Sequence, residues 1–178
     1  MNYTTQNSLL LNNLLKFYNL DDNIDKILPI INGESKISLR LVDWFVTNYS
    51  KKNYTIIENK GKRFKVYTDY KLKLKAYSKK RFDPFCRWER ITIPYKSNIS
   101  IQTTIGQLNF FRWLLENNIV NYIEKHLELI NQDMNKRNST SKNKLKNKNK
   151  TRKKREELSV LASKSIKKEQ VKIIVEFK

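Results

Sequence analysis

The sequence predicts an α+β domain: a small antiparallel sheet, made of two hairpins plus a C-terminal strand, covered by helices and carrying a long disordered basic loop. Three observations predict it. Two pairs of alternating apolar stretches each flank a short turn-rich gap, and the segments around residues 38–49 and 105–136 repeat apolar residues at helical spacing. An acid-free basic run then precedes a last alternating segment. A chain of 178 residues with 11% aromatics suits one domain with one core, here residues 36–137, preceded by a helical extension at 1–35.

Ser8 to Tyr18 and Ile24 to Ile31 have the apolar spacing of short helices, with Asp21 and Asp22 as N-cap candidates for the second and Gly33 near its end. In "ISLRLVDWFVTNY", Leu39, Val42, Val46 and Tyr49 recur at helical intervals, and Trp44 and Phe45 widen the stripe, as in a core helix. "NYTIIE" and "RFKVY" flank Asn59-Lys60-Gly61-Lys62, which predicts a hairpin with a basic tip. "DYKLKLKAYSKK" fits a strand or a helix; the lack of β-branched residues favours helix. A second hairpin joins "RITIPY" to "ISIQTT" across Lys96-Ser97-Asn98, with Ile91, Ile93 and Tyr95 opposite Ile99, Ile101 and Thr103. Thr104-Ile105-Gly106-Gln107 reads as a capping box opening the helix "IGQLNFFRWLLEN", with Leu108, Phe111, Leu114 and Leu115 inward. Beyond Asn117-Asn118, helical spacing resumes through Val120, Ile123, Leu127, Ile130 and Met134 to about Lys136.

Residues 138–155 hold one large apolar residue and no acid, so they cannot bury enough surface to offset chain entropy and are expected to be disordered when free. They do not form a simple tail, because Val171, Ile173, Val175 and Phe177 alternate as a strand that needs a sheet to join. Residues 156–178 therefore read as a short helix and a strand returning to the core.

Charge is distributed unevenly. The formal net charge is +20, but residues 1–50 and 91–135 each carry −1, whereas 51–90 carry +10 and 136–178 carry +12. A uniform coding bias towards Lys and Asn would not leave two near-neutral segments beside two basic ones. A polyanionic partner is expected, and nucleic acid is the first candidate. From Lys62 to Arg90 aromatics interleave with cations, suiting phosphate neutralisation and base stacking. The candidate contacts are Lys62, Arg63, Lys79, Lys80, Arg81, Arg87, Trp88 and Arg90, with Lys150, Arg152, Lys153, Lys154 and Arg155 of the loop. Within "YSKKRFDPFCRWER" the reading places Asp83-Pro84 at a turn, Phe82, Phe85 and Cys86 beneath, and the cations outside. "TRKKRE" also has the form of a nuclear-localisation patch.

Enzyme chemistry finds less support. Cys86 lies forty positions from the sole histidine, His126, and the pair cannot supply a zinc set. The three glycines form no phosphate-binding loop, and Asp43, Asp69, Asp83 and Glu89 have no spacing that marks a metal cluster. A metal-dependent nuclease is the third reading, behind nucleic-acid binding and a structural protein that binds acidic partners. No cofactor is expected, nor is a membrane partner, since no apolar run approaches eighteen residues. The N-terminal apolar stretch lacks a basic n-region and a cleavage site, so secretion is not expected and the Asn-X-Ser/Thr triplets carry no glycosylation expectation.

The stretches "DWFVTNYSKK" from Asp43, "LKAYSKKRFDPFCR" from Leu74, "TTIGQLNFFRW" from Thr103 and "RKKREELS" from Arg152 resemble a family of small basic proteins of nucleocytoplasmic large DNA viruses, of the mimivirus-like kind. The resemblance spans most of residues 38–178 and does not draw on 1–35. It implies a viral protein located in the virion or the infected cell, in a cytoplasmic factory or the nucleus, and implies no activity. Joined to the charge pattern, it makes viral DNA the expected partner before RNA, bound through phosphates without strong sequence preference, in genome handling or packaging.

Overall fold

The computed structural model describes residues 5–20, 22–59, 61–95, 99–146 and 167–170. Thr5 opens α1 (Gln6–Tyr18), its hydroxyl accepting from Ser8 N–H. The second helix, α2 (Asn23–Asn32), starts after Asp22, which sits at φ 50° and makes no side-chain cap. It ends at Gly33, where φ is +76°, a left-handed conformation that glycine adopts without a Cβ penalty. Both helices belong to the core instead of extending from it. Leu14, Ile27, Leu28, Ile30 and Ile31 are buried, and the buried Tyr18 hydroxyl donates to the Leu108 carbonyl at 2.7 Å.

Ser38 caps α3 (Leu39–Trp44) through Leu41 N–H. The helix continues through a π turn (Phe45–Tyr49) into α4 (Ser50–Lys52). Thr47 and Ser50 hydroxyls donate to the carbonyls four residues back, at 2.7 Å each, back-bonding that loosens the regular ladder where the π turn sits. The first hairpin pairs β1 (Ile56–Asn59) with β2 (Lys62–Lys65), and Gly61 supplies φ +74° at its tip. Val66 and Tyr67, expected in this strand, instead begin α5 (Val66–Arg81). Val66 is fully buried, and Tyr70, Leu74 and Tyr77 pack on the core at helical intervals from it, a stripe that outweighs the local alternation.

The second hairpin pairs β3 (Arg90–Pro94) with β4 (Ile99–Thr104), placing Ile93 opposite Ile101 and Ile91 opposite Thr103. A third strand, β5 (Lys167–Gln170), adds antiparallel to β4. A returning strand therefore does join the sheet, but the described one precedes Val171. The hairpins form two separate sheets, with α5 between them in the chain.

At the centre lies α6 (Ile105–Glu116), buried on nearly every side from Gly106 to Leu114. Thr104 accepts Gln107 N–H at 3.2 Å as its cap, while the Gln107 side chain is held elsewhere, donating to the Pro84 carbonyl and accepting from the Thr103 hydroxyl. Asn118 at φ 54° separates α6 from α7 (Ile119–Lys125), and α8 (Leu127–Lys146) follows. Helical backbone thus reaches Lys146, within the stretch whose composition predicts disorder. The buried Ile130 and Met134 anchor its first turns, and adding residues to an existing helix needs no new nucleus. Residues 147–166 and 171–178, with the five loop cations, the returning helix and the alternating strand from Val171, lie outside the described residues.

Candidate nucleic-acid interface

The basic segment folds as a helix and a corner. In α5, Lys71 and Lys75 are exposed one turn apart, on the flank of the stripe packed through Tyr70, Leu74 and Tyr77. Helical geometry then breaks at Ser78, where φ 62° and ψ 167° put a non-glycine residue in a region that is costly for any side chain. The break redirects the chain so that Lys79 and Lys80 project into solvent before the turn at Phe82.

The corner is fixed from below by α6. Asp83 N–H donates to the Gly106 carbonyl at 3.2 Å, and the Asp83 carboxylate accepts Phe85 N–H at 2.9 Å, the Asx turn that Asp-Pro predicts. Three corner carbonyls accept side-chain donors from the frame: Arg81 from Asn109, Pro84 from Gln107 and Cys86 from Thr104. Gly106 lets the layers meet, since a Cβ there would lie 2.8 Å from the Lys80 carbonyl oxygen and 3.0 Å from Cys86 Cβ. Phe82 and Cys86 are buried as expected, and Phe85 is half-buried. "RFDPFCR" and "TTIGQLNFFRW", distant in sequence, are thus one packed unit.

The expected contact residues separate into three groups. Lys79, Lys80, Arg87, Trp88 and Arg90 are exposed on the corner, with Trp88 76% accessible and Arg90 donating to Gln102 at 3.1 Å. Arg81 is not displayed: half-buried, it donates to Asn7 at 2.7 Å and Gln6 at 3.2 Å, tying the start of α1 to the corner. Arg63 is exposed on the first hairpin and pairs with Glu58 at 3.4 Å; Lys62 lies beside it in β2, its side chain outside the description. Lys71 and Lys75 were legible from their four-residue spacing and join the set. Lys150, Arg152, Lys153, Lys154 and Arg155 have no described position.

Among the described residues, no three His, Cys, Asp or Glu side chains gather as a metal site. Asp69 accepts the Trp113 indole N–H at 2.5 Å, and Asp83 holds its turn. A hollow of about 410 Å³ between α1, α5 and α6 carries charges of both signs, with Arg112 paired to Glu116 at 2.7 Å, so it does not single out an anion. Asp43 is different. Burial first, then the Asp83 carboxylate, push its pKa from 3.8 to about 6 against the opposing pull of Lys79; burial first, then the Asp43 charge, raise Tyr70 to about 12.

A carboxyl whose folded pKa exceeds its unfolded value binds more protons when folded, so the fold weakens as pH rises between those values. The penalty from Asp43 is absent below about pH 4, grows towards pH 6 and then stays constant, reaching at most about 3 kcal/mol. Urea unfolding of the wild type and Asp43→Asn from pH 4 to 7 checks this: the variant is expected to gain on the wild type across that window. Parallel profiles would refute it.

Two comparisons bear on what the chain is. A family model described as a family of unknown function, DUF7197, matches residues 1–176. The chain belongs to this family. The DUF7197 match takes in residues 1–35, which the resemblance left out and whose helices α1 and α2 contribute Leu14, Tyr18, Ile27 and Ile31 to the core. A relative described as "Uncharacterized protein L507", from Acanthamoeba polyphaga mimivirus, is 45% identical over 154 residues, covering 81% of this DUF7197 chain. The chain spans 59% of that relative's length. No solved structure matches. No helix among the described residues is long and apolar enough to cross a membrane.

Proposed function

We propose that this chain binds viral nucleic acid, DNA before RNA, through phosphate contacts that tolerate many sequences, in genome handling or packaging. The supporting observation is the display of Lys71, Lys75, Lys79, Lys80, Arg87 and Arg90 along one continuous segment whose corner is anchored to α6. Cations on a fixed backbone meet phosphates without ordering a loop first, so less of the attraction is lost to entropy. Such contacts position a duplex but do not read its bases. The relative's viral origin supports the genomic setting, and the basic, acid-free sequence of residues 138–155 would add to the same attraction.

Fluorescence anisotropy with a labelled duplex at 50 mM salt tests this. Saturable binding is expected for unrelated duplex sequences alike, with poly-glutamate of equal charge a weaker competitor than unlabelled duplex. Failure to bind at 50 mM salt would sink the proposal. Poly-glutamate competing as well as DNA would shift it to a structural role among acidic virion partners.

A further inference from the structure

Trp88 stands apart from the other tryptophans. Trp44 and Trp113 donate their indole N–H groups to Asp133 and Asp69, whereas Trp88 leaves 76% of its surface accessible and has no such bond among the described residues. It stands at the wall of a cleft of about 210 Å³, below the roughly 300–1,000 Å³ of sites for drug-sized ligands and suited to a single ring system. Lys80 and Arg81 line the same cleft, as do Ser78, Glu89 and Asn7.

Two further observations show the cleft to be built. Ser78 and Glu89 are both held at positive φ, 62° and 52°, outside the glycines and asparagines that adopt this conformation readily. Backbone held this way persists only where surrounding structure fixes it, and such positions gather at ligand clamps. Here Cys86, Thr104 and Asn109 supply the fixing bonds to the chain between the two residues. Second, the lining offers both kinds of hydrogen-bonding group: the Lys80 and Arg81 cations are donors and the Glu89 carboxylate is an acceptor, as the edge of a base requires, while Lys79, Arg87 and Arg90 are exposed outside the lining.

We propose that the Trp88 cleft takes one unpaired nucleobase, stacked on the indole, so that the chain holds single-stranded segments and frayed ends more tightly than closed duplex. This rests on the nucleic-acid reading above. A paired base is stacked between its neighbours and cannot enter, whereas a base of a single strand swings out at little cost.

The test compares three probes of equal length with the full chain: a single-stranded DNA, the same strand with all bases removed to leave abasic sugars, and a blunt duplex. The intact strand is expected to bind about 5- to 150-fold more tightly than the abasic strand, the range for stacking one base. Trp88→Ala should erase that difference, and Trp88→Phe, which keeps a ring, should retain most of it. Equal affinity for intact and abasic strands, or an unchanged preference in Trp88→Ala, would overturn the cleft while the phosphate reading stands. Absence of binding to all three probes would overturn both.

Discussion

Duplex DNA held by this chain at 50 mM salt is expected to lose about 10³- to 10⁵-fold in affinity at 200 mM, because each neutralised phosphate releases condensed counterions whose return is favoured by salt. The slope of log K against log salt should lie between roughly −5 and −9, as about six to ten phosphate contacts require. Six exposed cations on α5 and the corner account for the shallow end of that range. Steeper values would bring in Arg63 and the basic sequence of residues 138–155. A titration from 50 to 300 mM salt reads the slope directly, and a value near zero would mean that the cations do not face phosphates.

The second large effect is on stability. Phe82→Ala is expected to cost about 3–5 kcal/mol, the range for removing a fully buried aromatic that leaves a cavity. Phe82 is 1% exposed and lies among four rings, with centroids 5.4 Å from Phe110, 5.6 Å from Trp113, 6.0 Å from Tyr70 and 6.1 Å from Tyr77. Those rings belong to α5 and α6, so its loss uncouples the basic helix from the central one. Denaturant unfolding should show a lower midpoint with little change in slope. A cost under 1 kcal/mol would mean that the corner is not packed as described.

Much of this frame was legible in the sequence. The capping threonine of α6, the second hairpin with Ile93 facing Ile101, and the Asp83-Pro84 turn each follow from a local pattern whose physics is local too. Helical α5 followed from its lack of β-branched residues, but its start did not, because "RFKVY" alternates and only the packing of Val66 and Tyr70 decides the matter. Tertiary partners were invisible in the same way. Nothing near Arg81 announces that it ties down Asn7 and Gln6, and nothing near Leu14 or Tyr18 announces that their helix covers α6. The chain enters and leaves the corner that carries Trp88 through positive φ at Ser78 and Glu89, which neither residue type favours, and Asn109 and Thr104 hold the Arg81 and Cys86 carbonyls between them. The cleft therefore lay beyond sequence reasoning although every residue in it could be read.

The anchored corner itself is expected to carry the attraction to phosphate. The most direct measurement is the salt slope of duplex binding for a variant with Lys79, Lys80, Arg87 and Arg90 all changed to Gln. These side chains are exposed, so the fold is expected to stand, as thermal unfolding of the same sample will show. If the four each meet a phosphate, the slope becomes shallower by about 3 to 4, near 0.9 per lost contact. A slope and affinity unchanged from the wild type would contradict the account and move the binding surface away from the corner.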